Sequence, residues 1–180
     1  MSSSESLTPP GAAERAAMLR VDQAGEFGAT RIYAGQLAVM GSRHPAARAI
    51  ARMAAQEERH RARFDAMLGE RRVRPTALAP LWHVAGFALG AATALIGAEA
   101  AMACTAAVET EIDRHYGAQI DRLGDSDPEL TEAITEFRAE EVEHLDTALA
   151  AGAERAPAYP LLSAAIRLGC RVAIGLSERI

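Results

Sequence analysis

The sequence predicts an all-α protein built around a four-helix bundle. Three observations carry that expectation. First, 49% of the 180 residues are apolar while only 4% are aromatic. Much of the apolar content is alanine, the strongest helix former, and the β-branched runs that strands favour are few. Second, Gly41, Gly69, Gly124 and Pro157 punctuate the chain at helix-length intervals. Third, one residue set occurs twice. A Glu (26, 109) is followed by Tyr seven residues later (33, 116), then by Gln three further on (36, 119). A Glu-x-x-His follows 31 residues after the first Glu (57 and 60) and 32 after the second (141 and 144).

The elements follow in order. Ala12 to Val39 is the first expected helix, closed near Gly41. Gly25 and Gly28 flank Glu26 inside it. Gly costs about 1 kcal/mol against Ala in a helix interior, so this pair implies tight helix packing, room for a ligand, or a kink. His44-Pro45 opens the second helix, because Pro suits a first turn; it runs to about Leu68. A basic linker, Glu70 to Pro75, leads to Pro80 and a long apolar stretch from Leu81 to Val108, with no charged residue between His83 and Glu99. Its polar continuation, Glu109 to Leu123, ends at Gly124. Asp127-Pro128-Glu129 is an N-terminal signal for a helix reaching about Ala151. Pro157 and Pro160 then set off a short last helix, Leu161 to Leu176.

A net charge of −5 argues against a nucleic-acid partner. The 19 basic residues are all Arg, a compositional bias. Cys104 and Cys170 have no metal-type spacing, and a reduced, cytosol-facing compartment is the simplest reading. No secretory signal or Arg-rich transit peptide opens the chain, implying a bacterial cytoplasmic or mature organellar protein. A membrane-spanning helix needs about 20 consecutive apolar residues. The apolar core Val84 to Ala98 is shorter and leads into Glu109. It fits a helix lying in one leaflet, with Trp82 and Arg74 at headgroup level. The last helix is also apolar, punctuated by Arg167, Arg171 and Arg179. The competing reading is that both helices pack against the bundle.

On a helix, positions i and i+3 share a face, so Glu57 and His60 point at one spot, as do Glu141 and His144. Carboxylates and imidazoles without thiolate suit non-haem iron or manganese. Glu26, Glu57, His60, Glu109, Glu141 and His144 form the ligand pattern of ferritin-like di-iron and di-manganese bundles, with Glu57 and Glu141 as expected bridges. Glu58 and Glu140 offer competing registers; Glu111 and Glu143 are expected in solvent or paired with Arg. Around the site, Asp22 and Asp146 are candidates to orient the imidazoles, and Arg138 to balance the Glu141 carboxylate. Tyr33 and Tyr116 project into the same interior, with ligand hydrogen bonding, electron transfer and plain packing as open readings. His115 is either a seventh polar group near the pocket or, as the simpler reading, a capped or surface residue.

The words around these residues resemble the 5-demethoxyubiquinone hydroxylases of ubiquinone biosynthesis. They include Arg20-Val21-Asp22-Gln23-Ala24-Gly25-Glu26-Phe27-Gly28-Ala29, Arg31-Ile32-Tyr33-Ala34-Gly35-Gln36, Arg72-Val73-Arg74-Pro75-Thr76, Pro80-Leu81-Trp82 and Gly86-Phe87-Ala88-Leu89-Gly90. Ala101-Met102-Ala103-Cys104-Thr105, Val108-Glu109, Phe137-Arg138, Glu140-Glu141, Glu143-His144, Asp146 and Ala156-Pro157-Ala158-Tyr159 continue the likeness, as does Gly169-Cys170-Arg171-Val172-Ala173-Ile174 with Leu176-Ser177-Glu178-Arg179. It spans from about Arg20 to the end. The family usually has His where this chain has Gln23, often His at Leu145, and in animal members Tyr at Gly175.

The Ser-rich, polar start reads as a disordered tail over residues 1–11, and the resemblance implies a single ferritin-like di-iron domain over 12–180. That domain carries the interfacial apolar segment and the short C-terminal helix. The implied enzyme is a monooxygenase holding two iron ions on the six residues above. It would use O2 to hydroxylate a polyprenylated demethoxy-quinone, with NADH or reduced quinone as electron donor. Arg171 and Arg179 are anion contacts by that analogy. The implied location is peripheral, on the cytoplasmic face of the bacterial inner membrane or on the mitochondrial inner membrane. A homo-oligomer or a ubiquinone-synthesis complex are the expected assemblies. The alternatives are a rubrerythrin- or ferritin-like peroxide or iron oxidase, and a non-enzymatic membrane scaffold.

Overall fold

A computed structural model describes residues 9–180. Most of the expected tail, residues 1–8, lies outside the described residues; Pro10 is buried, and its carbonyl accepts a hydrogen bond from Arg15. The helices are α1 (Ala12–Met40), α2 (Ala47–Glu70), α3 (Ala79–Ile96), α4 (Ala98–Leu123), α5 (Pro128–Ala150) and α6 (Tyr159–Ser177). A single 3-10 turn, Ala153–Arg155, precedes α6, and no strand occurs among the described residues.

Two starts and one break differ from expectation. The second helix begins at Ala47 rather than at Pro45, because the His44 imidazole and carbonyl accept the Ala46 and Ala47 amides and hold this segment in a turn. The last helix begins at Tyr159, with Pro160 inside its first turn rather than before it. The long apolar stretch is not one element. Gly97 adopts φ 149° and ψ 169°, a conformation that side chains beyond glycine rarely take, and there α3 ends and α4 begins. At Asp127 the expected start signal is met, since its carboxylate caps α5 by accepting the Leu130 amide at 3.2 Å.

Helices α1, α2, α4 and α5 form the bundle, in which α1 packs extensively on α2 and α4 on α5. The two pairs approach each other only sparsely, and the polar cluster occupies the space between them. Apolar layers close it off along the bundle axis. One contains Tyr33, Ile50, Met53, Met102 and Ala148; the other contains Leu19, Phe64, Met67, Leu123, Leu130 and Ile134. Outside the bundle, α3 lies on α1 and α6 on α4. The α1–α3 crossing is close enough that a Cβ at Gly35 would overlap the Phe87 carbonyl, and one at Gly90 the Ile32 carbonyl. Cys104 is fully buried in the α4 layer, and both cysteines are free thiols.

Candidate metal centre

Each bundle helix contributes to one cluster. Glu26, Glu57, His60, Glu109, Glu141 and His144 are all 3% exposed or less. Glu26, Glu57, His60 and Glu141 bring one ligand atom each to within 4.8 Å of one another, and so do Glu57, Glu109, Glu141 and His144. Glu57 and Glu141 belong to both sets. The cluster therefore offers two adjoining ion-sized positions, one bounded by Glu26 and His60, the other by Glu109 and His144. His60 Nδ1 lies 3.1 Å from Glu141 and 3.5 Å from Glu26. His144 Nδ1 lies 3.0 Å from both Glu57 and Glu141.

The far sides of the imidazoles determine which nitrogen is free. His60 Nε2 is 3.1 Å from a Glu140 carboxylate oxygen, and His144 Nε2 is 3.1 Å from the Gln56 amide oxygen. The Gln56 amide nitrogen donates to the same Glu140 oxygen at 2.9 Å, which turns its own oxygen toward His144. Both imidazoles thus donate from Nε2 and present the Nδ1 lone pair to the carboxylates. Lone pairs facing carboxylate oxygens inside a protein call for a metal ion between them or a proton on the imidazole. His60 Nδ1, Glu57 Oε1 and Glu141 Oε1 are buried without a hydrogen-bond partner. This donor set fits hard or borderline divalent metal ions, iron and manganese among them.

Without such ions, protons must neutralise the cluster. Burial first, and the neighbouring carboxylates second, push Glu57 and Glu109 well above the usual carboxylate range. Burial opposes the charge on His60 as well, but Glu141 and Glu26 outweigh it and hold this imidazole up at about 10. Burial would likewise raise Glu141, yet the two imidazoles pull it down to about 2.

The tyrosines cross between repeats. Tyr33 of the first copy donates to Glu109 of the second at 2.8 Å, and Tyr116 of the second donates to Glu26 of the first. Burial, then the surrounding carboxylates, raises both phenols well above their ordinary value, so both remain donors. Gln36 donates to the Ala101 carbonyl and Gln119 to Asp22.

Other sequence candidates sit elsewhere. Asp22 reaches neither imidazole of the cluster. It is buried against Gln119 and His115, and burial raises it to about 6 despite both partners. His115 is tucked beside it, against Asp22 and Gln119. Arg138 donates to Asp113 at 2.7 Å and does not contact Glu141. Asp146 is exposed on α5. Glu58 pairs with Arg61, and Glu143 is exposed. Glu111 is fully buried beneath Arg114, Arg167 and Arg171, and Arg171 above all holds it down at about 2. Arg171 is therefore committed to an internal carboxylate. The sequence reading overlooked Gln56 as a partner and placed Glu140 only as a rival ligand. A signal existed, since both immediately precede the Glu of a Glu-x-x-His and are equivalent positions of the repeat.

Beside the cluster, α1, α3, α4 and α6 enclose an apolar cavity of about 560 Å³. Gly25, Gly28, Gly86, Leu89, Ile112 and Ile166 line it, and Trp82 and Ser177, hydrogen-bonded at 3.0 Å, stand at one end. Val108, next to Glu109, also lines it. A Cβ at Gly28 would meet nothing within 4 Å and one at Gly25 only Ile112 at 3.7 Å, so the glycines beside Glu26 leave room at the cavity wall. Gly90 is pressed against the α1 backbone and Gly97 is a turn.

The family described as Ubiquinone biosynthesis protein COQ7 matches residues 13–177. The chain is 59% identical over 162 residues to the 3-demethoxyubiquinol 3-hydroxylase of Rhodospirillum rubrum, covering 90% of this chain and 76% of that protein. It is 55% identical over 166 residues to the NADPH-dependent 3-demethoxyubiquinone 3-hydroxylase, mitochondrial, of Mus musculus, covering 90% and 76%. Against the 5-demethoxyubiquinone hydroxylase, mitochondrial, of Saccharomyces cerevisiae, identity is 44% over 179 residues, covering 91% and 77%. This all-helical chain, with its carboxylate–imidazole cluster at the bundle centre, belongs to the ubiquinone biosynthesis protein COQ7 family.

Proposed function

We propose that this protein is a di-iron monooxygenase that hydroxylates the ring of a polyprenylated demethoxy-quinol in ubiquinone assembly. The observation that carries the reading is the pair of adjoining ion-sized positions sharing Glu57 and Glu141, set beside an apolar cavity. The names of the relatives support the substrate. One atom of O2 enters a ring C–H bond; the other leaves as water, taking two electrons and two protons. Bound iron would supply the activation of O2.

The chain's own residues do the rest. Glu57 and Glu141 would be shared by the two ions, Glu26 with His60 and Glu109 with His144 would complete the two positions, and Tyr33 and Tyr116 hold Glu109 and Glu26 in place by hydrogen bonds. The cavity excludes water and brings the ring alongside Glu26 and Glu109. The tail leaves between α3 and α6. The two electrons come from a nicotinamide donor, directly or through the quinone; the mouse relative is named as NADPH-dependent.

Helices α3 and α6 are each long and apolar enough to cross a membrane by length and composition. We read them as lying in the interface, because each runs along a bundle helix that carries buried carboxylates. Leu95 is 75% exposed and Leu161 73%. A peripheral place on the cytoplasmic face of a bacterial inner membrane, or on the mitochondrial inner membrane, follows. The same face serves a second copy or a ubiquinone-synthesis complex.

The test is anaerobic incubation of the reduced, iron-loaded protein with a short-tail demethoxy-quinol, then O2, with mass spectrometry of the quinone. A gain of one oxygen on the ring is expected. Oxygen or peroxide consumption with unaltered quinone would instead mark a rubrerythrin-like oxidase. Absence of bound iron would mark a scaffold.

A further inference from the structure

The two repeats supply like ligands, but they differ directly behind them. At the position before the Glu-x-x-His, the first has Gln56 and the second Glu140. Each reaches across the bundle to the other repeat's imidazole, at the same 3.1 Å. His60 is therefore backed by a carboxylate and His144 by a carboxamide. A carboxylate behind a ligating imidazole raises its basicity and fixes its orientation, and a hydrogen bond to an ion is roughly twice as strong as one between neutral groups. Glu140 also accepts from Gln56 at 2.9 Å and from Arg59 at 3.1 Å, so its carboxylate is fixed from three sides. Gln56, tied to that carboxylate through its nitrogen, can offer His144 only a neutral oxygen.

Resting on the reading that the cluster holds two metal ions, we propose that the two positions are chemically unequal. Glu140 makes His60 the stronger donor, so the position bounded by Glu26 and His60 fills first and holds its ion more tightly. Gln56 and Glu140 are positioning residues; neither side chain belongs to the ligand set.

Anaerobic titration of the metal-free, full-length protein with Co(II), followed by absorbance and calorimetry, reads this directly. Two steps are expected. Glu140→Gln should lower the tighter step by about 10- to 100-fold, the usual cost of losing such a partner, and bring the two steps together. Gln56→Glu should strengthen the weaker step and narrow the gap from the other side. Mössbauer spectra of the Fe(II)-loaded protein should show two doublets of equal area, converging in either variant. Thermal melting of the metal-free variants reports whether the bundle stands; should one fail to fold, the other carries the test alone. Two bound ions whose affinity ratio and spectra are unchanged in both variants would overturn the inequality and leave the metal reading intact. Failure of the native protein to bind any metal would overturn both.

Discussion

The bundle interior and the outer helices are built by opposite rules. Inside, four carboxylates and two imidazoles lie at 3% exposure or less, where isolated charge is most costly. Outside, α3 and α6 leave Val84, Leu95, Leu161 and Leu168 more than 60% exposed. Each region is incomplete as drawn by the chain alone. The interior gathers carboxylates that metal ions or protons would neutralise; the exterior presents exposed leucines that an apolar surface would cover. The apolar cavity draws its walls from two bundle helices and the two outer ones, and Gly25 and Val108, the chain neighbours of Glu26 and Glu109, line it. The reaction proposed above, between a metal-assisted oxidant and a lipid-borne ring, would use such a junction.

The largest expected effect comes from breaking the interior. Glu141→Ala removes a carboxylate shared by both ion positions. It should lower ring hydroxylation by more than about 100-fold, since outer partners alone cost 10- to 100-fold, and iron per chain should fall in parallel. Retained iron with full turnover would remove Glu141 from the site.

Two glycine substitutions then separate packing from room. Gly90→Leu drives a side chain into the Ile32 backbone, and chemical denaturation should show a loss of about 3 kcal/mol from overpacking. Gly28→Leu enters open cavity. Stability should change by less than about 1 kcal/mol, while turnover of the long-tailed quinol falls at unchanged iron content. Equal stability losses in the two variants would sink the distinction between crossing and cavity.

On the outer face, replacing Leu95, Leu161 and Leu168 together with Gln removes three exposed apolar side chains, each worth about 1.5–3 kcal/mol when fully buried. Sedimentation with anionic phospholipid vesicles should weaken at least about tenfold, with the melting temperature unaltered. Unchanged vesicle binding, with a shift from dimer to monomer, would assign this face to self-association.

The smallest expected effect lies between the regions, at Asp22. Burial raises its carboxyl from 3.8 to about 6. For a carboxyl so raised, the folded state binds the proton more tightly than the unfolded state. Its contribution is favourable below pH 4 and is lost as pH rises through 6. Asp22→Asn should therefore be more stable than the native chain at pH 7, on the order of 1 kcal/mol, with the difference vanishing near pH 4. A pH-independent difference would remove Asp22 as the cause.

Periodicity made most of the bundle legible. The i, i+3 spacing alone brings Glu57 beside His60 and Glu141 beside His144, and the doubled pattern indicates that the two pairs meet. The break at Gly97 was not legible, because a glycine in an alanine-rich run reads equally as helix and as turn until its neighbours choose. Gly90 and Gly28 look alike in sequence, yet one is a contact and the other a void. Arg138 faces Asp113 rather than Glu141, since a residue one turn from a ligand drifts around the helix and long side chains follow the nearest charge.

The sequence by itself determined an all-helical chain, the six residues that share its centre and the presence of two unusually apolar helices. Each is a property of one helix's own face, set by 3.6 residues per turn. Only the tertiary structure decided the exchanges between repeats: Tyr33 to Glu109, Tyr116 to Glu26, His60 to Glu140 and His144 to Gln56. It alone decided the cavity as well. These depend on how far one helix slides and turns against another, which is set by side-chain packing summed over the whole interface and written in no single segment.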